Sequence, residues 1–193
     1  MERNLIIIAG YPVSGKTIFV LKLSENINLP YFNLDSIKTE IGKVIKANSW
    51  EDSVRLGNSS FFVLMYILEN FMKYNKPLII ENSFIKDHEI VIENLIKKYE
   101  YKTLTYILKC DLKILHNRFI KREHSQERGS NNKVFGLWDN FQTFACDMIP
   151  FGDFTIGDNI VNINTNDFKN INYKEYVHLA NDFILRSIKP NGT

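Results

Sequence analysis

Near its N-terminus this 193-residue sequence has no apolar run long enough to cross a bilayer. Residues 5–9 are far too few for a span, and Glu2 and Arg3 ahead of them do not make a signal-peptide layout. The expectation is a cytoplasmic protein without a membrane partner. Cysteine is scarce: Cys110 and Cys146 have neither C-x-x-C spacing nor a nearby histidine pair, which predicts two reduced, buried thiols rather than a disulfide or zinc site. The four histidines, His88, His116, His124 and His178, are scattered and form no ligand pattern. There is no internal repeat, linker or low-complexity tract, so residues 1–193 are expected to form a single domain. Charge of one sign is not lacking overall, since the net charge is only +2, but it is uneven. Residues 97–133 hold ten Lys/Arg against four Asp/Glu, so a negatively charged visitor is expected there.

What is present is concentrated early in the chain. The apolar run LIIIA at 5–9 predicts a buried strand, and it leads into Gly10, Tyr11, Pro12, Val13, Ser14, Gly15, Lys16 and Thr17. These eight residues satisfy G-x-x-x-x-G-K-[ST] at every fixed position. A polyphosphate needs several backbone N–H groups converging on it, and glycines stand where a side chain would block that approach. Lys16 can reach the β- and γ-phosphates, and the Thr17 hydroxyl can ligate Mg²⁺. The helix predicted after Thr17, with Ile18, Leu21 and Ile27 on its apolar face and Val20 and Leu23 beside them, directs its positive end at the anion. Strand before and helix after are the context that this motif requires.

Further along, residues 29–35 predict a second strand with Asp35 at its carboxyl end, where open parallel sheets bind ligands. A carboxylate there can accept the proton of an attacking hydroxyl or hold a water on Mg²⁺; alternatively Asp35 caps a helix starting at Ser36. Residues 36–46 read as helix. Residues 47–60, ANSWEDSVRLGNSS, are polar and turn-rich, and predict a cap over an acceptor site, with Trp50 for stacking and Arg55 for an anionic group; alternatively Trp50 is a packing anchor and Arg55 a solvated charge. Residues 61–74 form an apolar helix. A third strand over 77–81 ends in Glu81, placed to serve Mg²⁺ through water. After the helix of 87–99 and the strand of 103–109, the helix of 112–123 carries Arg118 and Arg122 on one face. Residues 124–134 read as a mobile lid, 134–151 as a helix containing Trp138, Asp139 and Asp147, 159–165 as a fifth strand and 173–188 as a closing helix.

With a phosphate loop after strand one, an acid after strand two and an arginine pair after strand four, the chain resembles small P-loop kinases. It looks most like the zeta-toxin, chloramphenicol phosphotransferase and polynucleotide-kinase group. The resemblance implies a three-layer α/β fold, with a five-stranded parallel sheet in the order 2-3-1-4-5, helices on both faces and an arginine lid. It implies ATP and Mg²⁺ as donor and metal, Asp35 as base toward the acceptor hydroxyl, and Arg118 against the adenine with Arg122 reaching phosphates. Asn164 and Thr165 would border the base. An N-K-x-D after a late strand is missing, because Asn75-Lys76-Pro77-Leu78 lacks the acid and follows a helix, which speaks against a GTPase. The expected activity is transfer of the γ-phosphate to a hydroxyl of a small molecule. The alternatives are a polynucleotide 5′-kinase acting on RNA or DNA ends, supported by the basic segment, and an ATP-binding regulatory protein without transfer activity. Acceptor identity and oligomeric state are not readable from the residues.

Overall fold

The computed structural model describes residues 3–123 and 136–186. A strand apolar along its whole length has to cover both of its faces, and β1 (Asn4–Gly10) is buried at every residue. It lies at the centre of a five-stranded sheet with β2 (Tyr31–Asn33), β3 (Leu78–Glu81), β4 (Lys102–Lys109) and β5 (Asn159–Asn164). The order is β2-β3-β1-β4-β5, and every neighbouring pair is parallel, as the resemblance implied. Side chains of β1 alternate between two cores. Leu5, Ile7 and Ala9 pack with Leu64, Leu68 and Met72 of α3 (Trp50–Lys73) and Ile92 of α4 (Lys86–Tyr99). Ile6 and Ile8 pack with Phe19, Val20 and Leu23 of α1 (Lys16–Ile27) and Ala180 of α7 (Tyr173–Arg186). Trimming a fully buried residue such as Leu64 to alanine should cost about 2–5 kcal/mol.

The remaining helices are α2 (Leu34–Ile41), α5 (Leu112–Glu123) and α6 (Phe141–Met148). A third, smaller core joins α5 to α6 through Leu115, Phe119, Trp138, Phe144 and Met148, with Tyr11, Val13 and Trp50 at its margin. Because the strands are parallel, β1, β2 and β3 present their carboxyl ends at one edge, at Gly10, Asn33 and Glu81. Among the described residues no helix is long and apolar enough to cross a membrane.

Several expectations need correction. Of the expected apolar face of α1, Val20 and Leu23 are buried, joined by Phe19, whereas Ile18 and Leu21 are exposed. The polar stretch 47–60 is not a separate cap: from Trp50 onward it is the first part of α3. Ser49 caps that helix, its Oγ accepting from Asp52 N at 3.1 Å, and Glu51 and Asp52 complement the dipole in the first turn. Helix α2 stops at Ile41 rather than running to 46, and the described part of 134–151 is helical only from Phe141, where Asn140 caps it. Cys110 is half-buried and Cys146 is exposed; both are free thiols. The expected lid, 124–134, lies outside the described residues.

Candidate active site

Backbone shape comes first in the loop after β1. Gly10 has φ 132°, and a Cβ there would lie 2.3 Å from the Leu108 carbonyl oxygen, backbone that cannot yield. Gly15 has φ 93°, and its Cβ would lie 2.4 Å from the Phe168 ring. Between them Val13 is held at φ 57°, a left-handed conformation that β-branched residues avoid, so the loop stores strain on the order of 1–3 kcal/mol. The turn is closed by Ser14 N donating to Tyr11 O at 3.2 Å. Gly15 occupies the N-cap of α1 without any side-chain cap, which leaves the first amides of that helix directed at the loop. Ser14 Oγ is buried and makes no hydrogen bond among the described residues. This cradle fits a polyphosphate, which offers acceptors to both the amides and that hydroxyl.

Lys16 enters the cradle from the first turn of α1 and is buried. Its Nζ donates to Tyr11 O at 2.8 Å and to Ser83 Oγ at 2.7 Å. Burial lowers its pKa; the charges of Glu81 and Asp35 oppose this and that of Arg122 adds to it, so four charged groups of the site feel one another. Glu81, at the end of β3, is also buried. Desolvation pushes its carboxyl up to about 7; Lys16 pulls the value down and Asp35 pushes it further up. Thr17 Oγ1 donates to Glu81 Oε2 at 3.4 Å. A hydroxyl and a carboxylate suit a hard divalent cation such as Mg²⁺. Among the described residues no group of three or more His, Cys, Asp or Glu is arranged to hold a metal.

One cleft of about 490 Å³ gathers these residues. Pro12, Val13, Gly15, Lys16 and Thr17 line it, together with Glu81, Asp35, Trp50, Arg118 and Arg122. Asp35 is not at the strand end but is the second residue of α2; the cap is Asn33, whose Oδ1 accepts from Ser36 N at 2.6 Å. Its carboxylate is therefore not used in capping. The guanidinium of Arg118 lies 4.0 Å above the Phe168 ring and donates to the carbonyls of Thr165 and Asn166 at 2.7 and 3.0 Å. Asn164 and Thr165 stand behind this wall rather than in it: Thr165 is buried with its hydroxyl on Lys109 O, and Asn164 accepts from Asn166 N. Arg55 is also outside the cleft, on the exposed side of α3, paired with Asp52 at 2.7 Å.

Sequence reasoning missed Ser83, Lys38, Ser53, Gly57, His88 and Phe168, all of which line the cleft. A helical period from Asp35 or Trp50 would have found Lys38, Ser53 and Gly57; nothing in the sequence marks Phe168. Trp138, unassigned before, faces the cleft edge-on to Trp50 at 6.1 Å, with its Nε1 donating to Asp147 Oδ2 at 2.8 Å.

The sequence matches no protein-family model and no curated protein. Solved structures do resemble it. One, described as a "putative kinase" from Chloroflexus aurantiacus J-10-fl, aligns with a TM-score of 0.82 at 18% identity, over 97% of this chain and 99% of that one. A gluconokinase from Sinorhizobium meliloti 1021 aligns with a TM-score of 0.56 at 14% identity, covering 95% of this chain and 93% of that one. A shikimate kinase from Bacteroides thetaiotaomicron aligns with a TM-score of 0.50 at 14% identity, over 94% and 98%. The chain shares the three-layer P-loop fold of these structures.

Proposed function

We propose that the chain is a phosphotransferase moving the terminal phosphoryl group of ATP to a hydroxyl of a small molecule. The observation carrying this reading is that Lys16 and Asp35 line one cleft together with Lys38 of α2 and Trp50, Ser53 and Gly57 of α3, which bound its recess between α2 and α3. Donor and acceptor can then occupy the same cleft with Asp35 between them. The names of the structural neighbours, kinases of compact acceptors, support the same reading.

The loop amides and Lys16 hold the β- and γ-phosphates. When Lys16 Nζ leaves Tyr11 O and Ser83 Oγ, it exchanges neutral acceptors for anionic ones, a stronger interaction in a buried setting. Thr17 and Glu81 would hold Mg²⁺, whose chemistry there is to neutralise charge on the phosphates. Asp35 accepts the proton of the acceptor hydroxyl. Arg122 offsets charge on the migrating phosphoryl group, whereas Arg118, fixed against Phe168 and the carbonyls of 165–166, serves the base. In the basic segment, Lys97 and Lys98 are ion-paired with Glu93 and Glu69 on the outer surface, which favours a small acceptor over a nucleic-acid strand.

The test is incubation with ATP, Mg²⁺ and a metabolite extract beside Lys16→Ala, searching by mass spectrometry for newly phosphorylated species. A product made only by the unaltered protein is expected. ATP binding without any product, from small molecules or nucleic-acid ends, would refute transfer and favour a regulatory role.

A further inference from the structure

The charge of Arg55 in the polar stretch 47–60 suggests it for an anionic acceptor group, but the fold turns that side chain to solvent, where it is 77% exposed. Another cation faces the cleft. Lys38, one turn beyond Asp35 on α2, is half-buried in its wall, with Nζ donating to Ser53 Oγ at 2.8 Å. Ser53 belongs to a stripe along α3, in which Trp50, Ser53 and Gly57 stand at i, i+3 and i+7 and all face the cleft.

Gly57 is the unusual member. It lies inside a 24-residue helix, where glycine weakens the structure. Among the described residues a Cβ built on it meets nothing within 4 Å, so none of them demands a glycine by close packing and the room it leaves opens to the cleft. His88 closes this end, stacked on Phe61 with ring centroids 3.9 Å apart, and its burial favours the neutral imidazole. The Asp35 carboxylate disfavours an anionic acceptor group beside it, whereas Lys38 one turn away attracts one. A substrate with both a hydroxyl and a negative group is thereby oriented, hydroxyl toward Asp35 and charge toward Lys38.

We infer that the recess between α2 and α3 is the acceptor subsite, and that it takes a hydroxylated small molecule bearing a carboxylate or phosphate. The anionic group sits on Lys38, and the body lies against Trp50 and over Gly57. This inference rests on the phosphotransferase reading of the same cleft. An ammonium meeting an anion in a partly desolvated wall forms a stronger bond than it forms with a neutral hydroxyl such as that of Ser53.

The experiment separates a metabolite extract on an anion exchanger and offers the neutral and anionic fractions with Mg²⁺ and ATP. The product should come from the anionic fraction. Prior treatment with alkaline phosphatase distinguishes the sources: it removes a phosphate-ester acceptor and spares a carboxylate. With the identified acceptor, Lys38→Met should raise KM at least about tenfold, Lys38→Arg should restore most of the loss, and Arg55→Met should change nothing. Gly57→Leu should block the acceptor by filling its room. Both tryptophans of the chain line the cleft, so acceptor binding should also quench their fluorescence without turnover, and Lys38→Met should abolish the quench. A product from the neutral fraction, or an anionic acceptor whose KM ignores Lys38→Met, overturns the inference while leaving the kinase reading intact. Bound ATP with no product from either fraction overturns both.

Discussion

The two walls of the cleft are made by different means. On the proposed donor side the backbone itself forms the surface: Gly10 and Gly15 hold positive φ, Val13 is strained between them, and the amides opening α1 face the loop. On the proposed acceptor side the backbone is ordinary helix, and the surface consists of side chains spaced along α2 and α3. A surface made of backbone conformation tolerates few residues, so it leaves a fixed pattern in sequence. A helix face accepts many side chains in the same register and leaves none.

The comparison breaks most sharply at Lys16. Lys16→Ala should lower kcat/KM about 10³-fold, close to 4 kcal/mol of transition-state stabilisation, with whatever acceptor is offered. A loss confined to one acceptor would mean that Lys16 belongs to the wrong wall. Asp35→Asn, at the junction of the walls, should reduce transfer about 10²-fold while ATP affinity, measured by calorimetry, stays within error. If the rate persists, the carboxylate is not the base.

Glu81 sharpens the donor side through stability. Its folded-state pKa of about 7 lies above the ordinary 4.5, so the fold favours the protonated carboxyl. That contribution is fully present below pH 4.5 and is lost as pH rises through 7. Glu81→Gln should therefore unfold at higher urea than the unaltered protein near pH 8 in chelator. The gain should be on the order of 3 kcal/mol at most, vanishing at about pH 4.5. A pH-independent difference would contradict the desolvation of this group.

Smaller effects follow at the margins. Phe168→Ala removes the ring beneath Arg118 and beside Gly15, and should raise the KM for ATP by roughly 1 kcal/mol in binding terms without moving that of the acceptor. Gly57→Ala should stabilise α3 by about 0.5–1 kcal/mol, read as a higher midpoint in thermal unfolding, while raising only the acceptor KM. Equal effects on both substrates from either variant would erase the distinction between the walls.

What could be read in advance follows the same division. Each demand of the phosphate loop falls on a fixed position from Gly10 to Thr17, and the strands were visible as short apolar runs. The strand order came with the resemblance. The start of α3 was misread because Ser53 and Ser60 are buried positions filled by polar residues. Helical structure satisfies Ser60 internally, its Oγ donating to Leu56 O at 2.7 Å, so a polar composition conceals buried helix positions. Arg55 was chosen for its charge, yet its neighbour Asp52 holds it on the solvent side, whereas Lys38 was passed over within an ordinary helix. Phe168 meets Gly15 from 153 positions away, a contact that local spacing cannot show.

The most direct measurement is an experimental structure with a non-hydrolysable ATP analogue and Mg²⁺. The account predicts the triphosphate in the loop of residues 10–17, the base beside Arg118 and Phe168, and the terminal phosphate facing Asp35 with the α2–α3 recess still open. A nucleotide base lying in that recess, against Trp50 and Gly57, would contradict it.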